Sequence, residues 1–219
     1  MIHRLAGRFF IKRVVNVDAI ARTFKLWEPI GELKIRDVGK NILLFEFEDV
    51  LDLECVLKFE PWSYDKNLVA FQRVEDVESV PYLNYSHATF WVQLHNVLEK
   101  SLMCETGEFI GKSISVVVKV TDPEDDGVGG EFFRVRVTLD ISKPLPRFSK
   151  LKSEGRQLGW VGIKYERLPS FCYWCGRLTH GEWDCKNGFE VRRICKKMTS
   201  NMGSGCRQIQ HNILGRQWL

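Results

Sequence analysis

Three cysteines and one histidine fall within fourteen residues of this 219-residue chain, in the run Phe171-Cys172-Tyr173-Trp174-Cys175-Gly176-Arg177-Leu178-Thr179-His180-Gly181-Glu182-Trp183-Asp184-Cys185. Their spacing is C-x2-C-x4-H-x4-C. Three soft thiolates and an imidazole suit the borderline-soft zinc ion in a closed tetrahedral shell. Cys172, Cys175, His180 and Cys185 are therefore the expected ligands of one structural zinc ion. With every ligand place taken by protein, no position is left for an activated water, which argues against zinc hydrolysis. So short a segment cannot build a core that offsets its chain entropy, whereas zinc-finger peptides gain roughly 10–16 kcal/mol from the metal. Gly176 follows the second ligand, where the chain must bend back and positive φ carries no Cβ penalty. A redox dithiol at Cys172 and Cys175 would instead begin a helix in a βαβ context, and Pro169 and Gly176 argue for a loop.

The cluster resembles the CCHC zinc knuckle of retroviral nucleocapsid and related RNA-binding proteins. In those, the residue after the first cysteine is commonly aromatic and stacks on an unpaired base. The resemblance places Tyr173 in that role, with Trp174 beside it and Trp183 as a second platform; stacking is worth about 1–3 kcal/mol per base. One departure is Thr179, where the family has glycine before the histidine, and it touches the geometry of the base pocket rather than metal ligation.

Charge is distributed unevenly. Residues 1–142 carry a net −6 and residues 143–219 a net +10. Lys143 to Arg167 holds seven basic residues against two acidic ones, and residues 186–219 hold seven against one. A basic end on an acidic body suits a polyanion, with phosphate neutralisation supplying affinity and rings supplying base contacts. Arg177, Lys186, Arg192, Arg193, Lys196 and Lys197 are the expected phosphate contacts; the alternative for Arg192 to Lys197 is a solvated tail.

The remaining elements must carry this site. Hydrophobic residues make up 44% of the chain and charged residues 27%, an ordinary globular balance. No apolar run approaches the ~20 residues of a membrane span. Leu5 to Val15 reads as a strand, and Asn16 as the N-cap of a helix with Val17, Ile20, Ala21, Phe24 and Trp27 on one face. Strands follow at Leu33–Asp37 and Ile42–Glu48, the second sending Leu43, Phe45 and Phe47 to one side and Ile42, Leu44 and Glu46 to the other. Asp49 caps a helix with Leu53 and Val56 in its stripe, Pro61-Trp62 breaks it, and Leu68–Val74 is a further strand. The order β-α-β-β-α-β predicts an α+β, ferredoxin-like or RRM-like unit over residues 1–78. Its outward positions Ile42, Leu44 and Glu46 offer no aromatic ring, so base stacking is not expected there; a scaffold or a protein-contact sheet is.

Residues 75–87 read as a linker. A second, smaller α+β block spans 88–167, with strands at Thr89–Leu94, Ser113–Thr121, Glu131–Ile141 and Trp160–Tyr165 and a short helix over Ser101–Lys112. In Glu131–Ile141, Phe133, Val135, Val137 and Leu139 face one way and Arg134, Arg136 and Thr138 the other. Whether the block closes its own core or extends the first sheet is left open. Residues 123–130 form an acidic, glycine-rich turn without the ligand pattern of a calcium loop. The knuckle occupies 171–186 and a basic tail 187–219. Cys55 and Cys104 lie in apolar patterns and are expected as small core residues; His95, at a strand end, is expected to be structural.

The segments Leu5-Ala6-Gly7-Arg8-Phe9, Pro61-Trp62-Ser63-Tyr64, Phe90-Trp91-Val92-Gln93-Leu94-His95, Asp140-Ile141-Ser142-Lys143-Pro144-Leu145 and Tyr165-Glu166-Arg167-Leu168-Pro169-Ser170-Phe171-Cys172 resemble a plant family. Its members carry the "domain of unknown function" 4283 followed by a CCHC knuckle, and many are retrotransposon-derived. The resemblance implies zinc and nucleic-acid binding. Leu98, where the family has proline, and the missing acidic leader depart from it and suit a truncated copy.

The expected protein is a non-enzymatic, zinc-dependent binder of single-stranded nucleic acid, RNA before DNA on the knuckle analogy alone, with a protein partner as a further prospect for the α+β body. The alternatives are a protein-interaction adaptor and a decayed retrotransposon-derived protein without retained activity. No signal peptide precedes the seven cysteines, an odd count, so an intracellular place, nuclear or cytoplasmic, is expected rather than secretion.

Overall fold

The computed structural model describes residues 2–25, 29–97, 104–121, 132–153 and 156–190. Strand β1 (His3–Phe9) leads to helix α1 (Val17–Lys25), strands β2 (Leu33–Gly39) and β3 (Ile42–Phe47), helix α2 (Val50–Lys58), and strands β4 (Trp62–Tyr64) and β5 (Asn67–Arg73). These strands form one antiparallel sheet in the order β2-β3-β1-β5-β4. It is the expected ferredoxin-like arrangement with a short edge strand added.

Local chemistry accounts for the boundaries. Asn16 Oδ1 accepts from the Ala19 amide at 3.1 Å, which starts α1, and Asp49 caps α2 by accepting from Leu51. Lys40 and Asn41 both take positive φ in the β2–β3 turn, as Asp65 and Lys66 do between β4 and β5. The first strand is shorter than expected, ending at Phe9 rather than Val15. Asn41 holds the continuation: its Nδ2 donates to the Ile11 and Arg13 carbonyls and its Oδ1 accepts from the Val15 amide. Strand β4 was not expected at all. Its Trp62 indole donates to the Val56 carbonyl at 2.8 Å, so the segment that stops α2 also packs back on it.

Residues 75–87 are not a loose linker. A 3₁₀ turn at Val77–Tyr82 buries Val80, and Tyr85 is buried with its hydroxyl donating to the Val80 carbonyl. The second sheet follows: β6 (His87–His95), helix α3 (Cys104–Ile114), β7 (Val116–Thr121), β8 (Phe133–Asp140), β9 (Phe148–Ser153) and β10 (Arg156–Tyr165). Its order is β7-β8-β6-β10-β9. The block builds its own sheet rather than extending the first, and its core is continuous with one face of the first sheet. Strand for strand, the order repeats that of the first sheet, with β6, α3, β7, β8, β9 and β10 standing for β1, α1, β2, β3, β4 and β5. The counterpart of α2 is missing; between β8 and β9 the chain runs through residues 141–147 without a helix. Strand β9 and the first half of β10 went unpredicted, and α3 extends to Ile114, where a strand was expected from Ser113.

Among the described residues, two apolar clusters form the core. One lies between the first sheet and its helices, around Leu5, Leu43, Phe45, Phe47, Leu53 and Phe71. The other starts on the opposite face of that sheet, at Ala6, Ile42, Leu44, Leu68 and Ala70. It runs through Val80 and Tyr85 to Phe90, Val92, Ile110, Val135 and Val161 of the second unit. The strand parity of Ile42–Phe47 is as expected, but Ile42 and Leu44 face protein rather than solvent. Glu46, on the same face, takes Arg4 Nε at 3.0 Å and Arg36 Nη2 at 2.6 Å. Burial opposes its charge, and the two guanidinium groups outweigh that effect and lower its pKa.

Cys55 and Cys104 are exposed, contrary to expectation. The buried side chains of α2 are Leu53 and Val56, and Cys55 points about a quarter-turn away from Val56. Cys104 opens α3, whose buried positions are Gly107, Ile110 and Gly111. The acidic turn at 123–130, Trp27 and Leu98 lie outside the described residues, as do Cys195 and Cys206.

Candidate metal centre

The chain leaves β10 along the first unit. The Arg167 guanidinium donates to the Phe59 and Glu60 carbonyls, Pro169 is buried, and the Ser170 amide donates to Lys66 at 2.7 Å. The following loop closes on itself. Gly176 N–H donates to Cys172 O at 2.7 Å, and Cys172 N–H to Arg177 O at 2.8 Å. Gly176 takes φ +73°, the left-handed turn anticipated after the second ligand. A 3₁₀ turn at Glu182–Asp184 then delivers Cys185, whose carbonyl accepts from Phe189 as residues 186–190 begin a helix.

The potential ligand atoms of Cys172, Cys175, His180 and Cys185 all lie within 4.8 Å of one another. Sulfur atoms bound tetrahedrally at ~2.3 Å from zinc are ~3.8 Å apart, so the set needs only a slight contraction. His180 presents Nε2 to the cluster, 3.3 Å from Cys175 Sγ. Its Nδ1 lies 3.3 Å from Thr179 Oγ1. The threonine that replaces the family's glycine thus supplies an oxygen to the ring's outer nitrogen, an arrangement that orients ligating histidines. Burial pushes the Cys172 thiol up to about 12. Burial also opposes ionisation of Cys185, but the Gly188 amide and the neighbouring His180 and sulfur groups prevail and bring it down to about 7. A divalent cation removes this conflict, because a coordinating thiol is deprotonated outright. The donor set and its convergence fit zinc.

The loop is anchored to the body. Leu178, between the second and third ligands, is only 3% exposed and belongs to the cluster that joins the two sheets. Leu145 N–H donates to Gly176 O at 2.9 Å, Phe171 packs against the same cluster, and Lys12 pairs with Asp184 at 2.5 Å. The sequence reading missed Leu178; a lone leucine amid polar and ligand residues was its signal.

Among the candidate stacking residues, Trp183 is 76% exposed and Tyr173 44% exposed, the latter with its ring 4.5 Å from that of Phe171. Trp174 is half-buried, and a Cβ added at Gly188 would come within 2.6 Å of its indole. Trp174 therefore packs on the helix that follows the last ligand. Arg177 and Lys186 are exposed. Arg192, Arg193, Lys196 and Lys197 lie outside the described residues. His95 Nε2 donates to Gln93 Oε1 at 3.1 Å and its ring packs on Phe132, in keeping with a structural role.

Comparison with known proteins gives two family matches. Residues 3–80 match the domain of unknown function DUF4283, and residues 139–187 match a zinc knuckle. The uncharacterized protein At4g02000 of Arabidopsis thaliana is 24% identical over 135 residues, which are 62% of this chain. The alignment spans 42% of that relative's length. Among solved structures, the RNA-binding domain of Hrp1 in complex with RNA is 13% identical, covering 74% of this chain and 95% of that one at a TM-score of 0.28. A Sex-lethal protein–RNA complex, also 13% identical, covers 74% and 97% at 0.28.

Proposed function

We propose that this chain, a DUF4283 domain followed by a C-terminal zinc knuckle, is a zinc-dependent, non-enzymatic binder of single-stranded nucleic acid, RNA in preference to DNA. The observation that carries the reading is the convergence of Cys172, Cys175, His180 and Cys185 beside two exposed rings, Tyr173 and Trp183. A shell closed by four protein ligands serves structure rather than hydrolysis. Zinc, when bound, supplies the cross-link that holds the loop. The chain's own residues do the binding: Tyr173 and Trp183 offer π-faces to unpaired bases, and Arg177 and Lys186 offer charge to phosphates. Trp174 supports the loop rather than the ligand. The family resemblance adds a retrotransposon-derived origin to the proposal.

The test is titration of a labelled single-stranded oligonucleotide with the zinc-loaded and the chelated protein. Binding that needs zinc and falls steeply with salt supports the reading. Binding indifferent to salt would point to an apolar protein interface instead. No binding by the zinc-loaded chain would overturn the reading and leave the protein-interaction adaptor and the decayed copy.

A further inference from the structure

Among the described residues, the second sheet has one covered face and one open face. Helix α3 packs on the first of these: Ile110 is buried with Phe133 and Val135, and Ser113 Oγ meets Ser149 Oγ at 2.9 Å. Strand register assigns the opposite face. Trp91 pairs with Arg136, Gln93 with both Arg134 and Lys164, and Trp160 with Lys150. Phe148 pairs with Gly162, two residues from each of Trp160 and Lys164, and so shares their side. Rings and cations therefore alternate across this surface.

Two of the rings are accessible, Trp91 is half-buried, and each lies against a cation. Trp160 is 52% exposed and Phe148 56% exposed. Lys150 Nζ lies 4.8 Å from the Trp160 ring centre, and Arg134 lies 4.5 Å over Trp91. Glu166 is the acid that enters this pattern, and Arg134 holds it through both of its carboxylate oxygens. At the far end, the termination of α2 covers the sheet: Arg136 Nη2 donates to Leu57 O at 2.7 Å, and Glu60 is buried nearby. The open part runs from Trp91 across β10 to β9.

We infer that the open face of the second sheet, centred on Trp91, Trp160, Lys150 and Lys164, is a second binding site for single-stranded nucleic acid. The reasoning is charge complementarity joined to ring spacing. A surface with lysines and arginines between exposed aromatic side chains suits a polyanion whose bases have flat faces. An acidic peptide would satisfy the cations but leave the rings without partners. The site rests on the nucleic-acid reading above and extends it beyond the knuckle, onto strands that lie partly between the two family matches.

The experiment uses the full zinc-loaded chain and a labelled oligouridylate of about twenty nucleotides, long enough to reach more than one site. Trp160→Ala with Lys150→Ala is compared with Tyr173→Ala with Trp183→Ala, each checked for an unchanged thermal midpoint. The β9–β10 variant should bind about ten-fold more weakly. Its plot of log affinity against log salt should be shallower by about 0.7, as for one lost phosphate contact. Lys164→Glu, which removes no packed ring, should weaken binding as well and serves if the double variant fails to fold. Wild-type affinity in these variants, with loss confined to the knuckle variant, overturns the second site and leaves the knuckle reading standing. Failure of the wild type to bind overturns both. Displacement of the oligouridylate by an oligoglutamate of equal charge would assign the face to acidic protein segments and overturn the proposal.

Discussion

The two sheets share one strand order and differ in what their outward faces do. On the first sheet that face carries Ala6, Ile42, Leu44, Leu68 and Ala70 and disappears into the core shared with the second unit. On the second it carries Trp91, Gln93, Lys164 and Trp160 and stays open from Trp91 to β9. The helical sides differ in the opposite sense. The first sheet has two helices there. The second has α3 alone, and its apolar cluster takes in Leu145 and, from the knuckle, Leu178. One arrangement of strands thus serves twice, once as a scaffold with both faces covered and once as a surface. Side-chain chemistry on alternate strand positions decides between them.

The largest expected effect comes from the metal. Cys185→Ser should abolish stoichiometric zinc uptake. It should also destabilise the body, because Leu178 loses the loop that places it in the core. Hydrogen exchange should then quicken around Val161 and Ile163 while Phe45 and Phe47 keep their protection. Equal loss in both sheets would break the contrast drawn here.

Leu44→Ala addresses the covered face. Removal of a fully buried leucine costs about 2–5 kcal/mol, whereas an open-face position would cost under about 0.5 kcal/mol. A urea midpoint unchanged by this substitution would show the first sheet to be open after all.

Glu60 sits where the two units meet. Burial pushes its carboxyl up to about 7, against the pull of the Thr89 hydroxyl and the Arg136 charge. A folded-state pKa above the unfolded value means that the native state holds the proton more tightly. The resulting stability is fully present below the ordinary carboxylate range and is lost as pH rises toward about 7. The loss is on the order of 3 kcal/mol. Glu60→Gln should flatten the dependence of stability on pH over that window, measured by denaturation at a series of pH values. An unchanged profile would place the titrating group elsewhere.

The smallest expected effect on stability is at Lys164, which is exposed. Lys164→Ala should leave the unfolding free energy within about 0.5 kcal/mol of wild type. A larger loss would show that the open face carries structural load.

Much of this was legible because it is local. The caps Asn16 and Asp49 act within three residues of themselves, and the ligand spacing lies inside one loop. The alternation at Phe133–Leu139 reports burial on one side of a strand, and the structure has Phe133, Val135, Val137 and Leu139 buried. What stayed hidden depends on distant partners. Ile42 and Leu44 read equally well as solvent-facing until another unit covers them. Tyr85 and Val80 looked like linker residues because their neighbours in sequence are polar. Strand β4 is three residues long and exists by pairing with β5, a contact that periodicity cannot report. Cys55 misled because an apolar helix contains more apolar residues than its buried stripe can accommodate. The convergence of Cys172, Cys175, His180 and Cys185 was readable while the orientation of their loop was not, since that rests on Leu145 and Lys12, far off in the chain.

The leucine wedge at position 178 bears on the thermodynamics of capture. A recognition loop hung on a slack tether must surrender its wandering when a ligand arrives, and that lost freedom subtracts from affinity. Here the surrender happens during folding, before any ligand is met. On the proposed reading, the rings of Tyr173 and Trp183 are held out from a braced support, and a polymer landing on them would have only its own motion to give up.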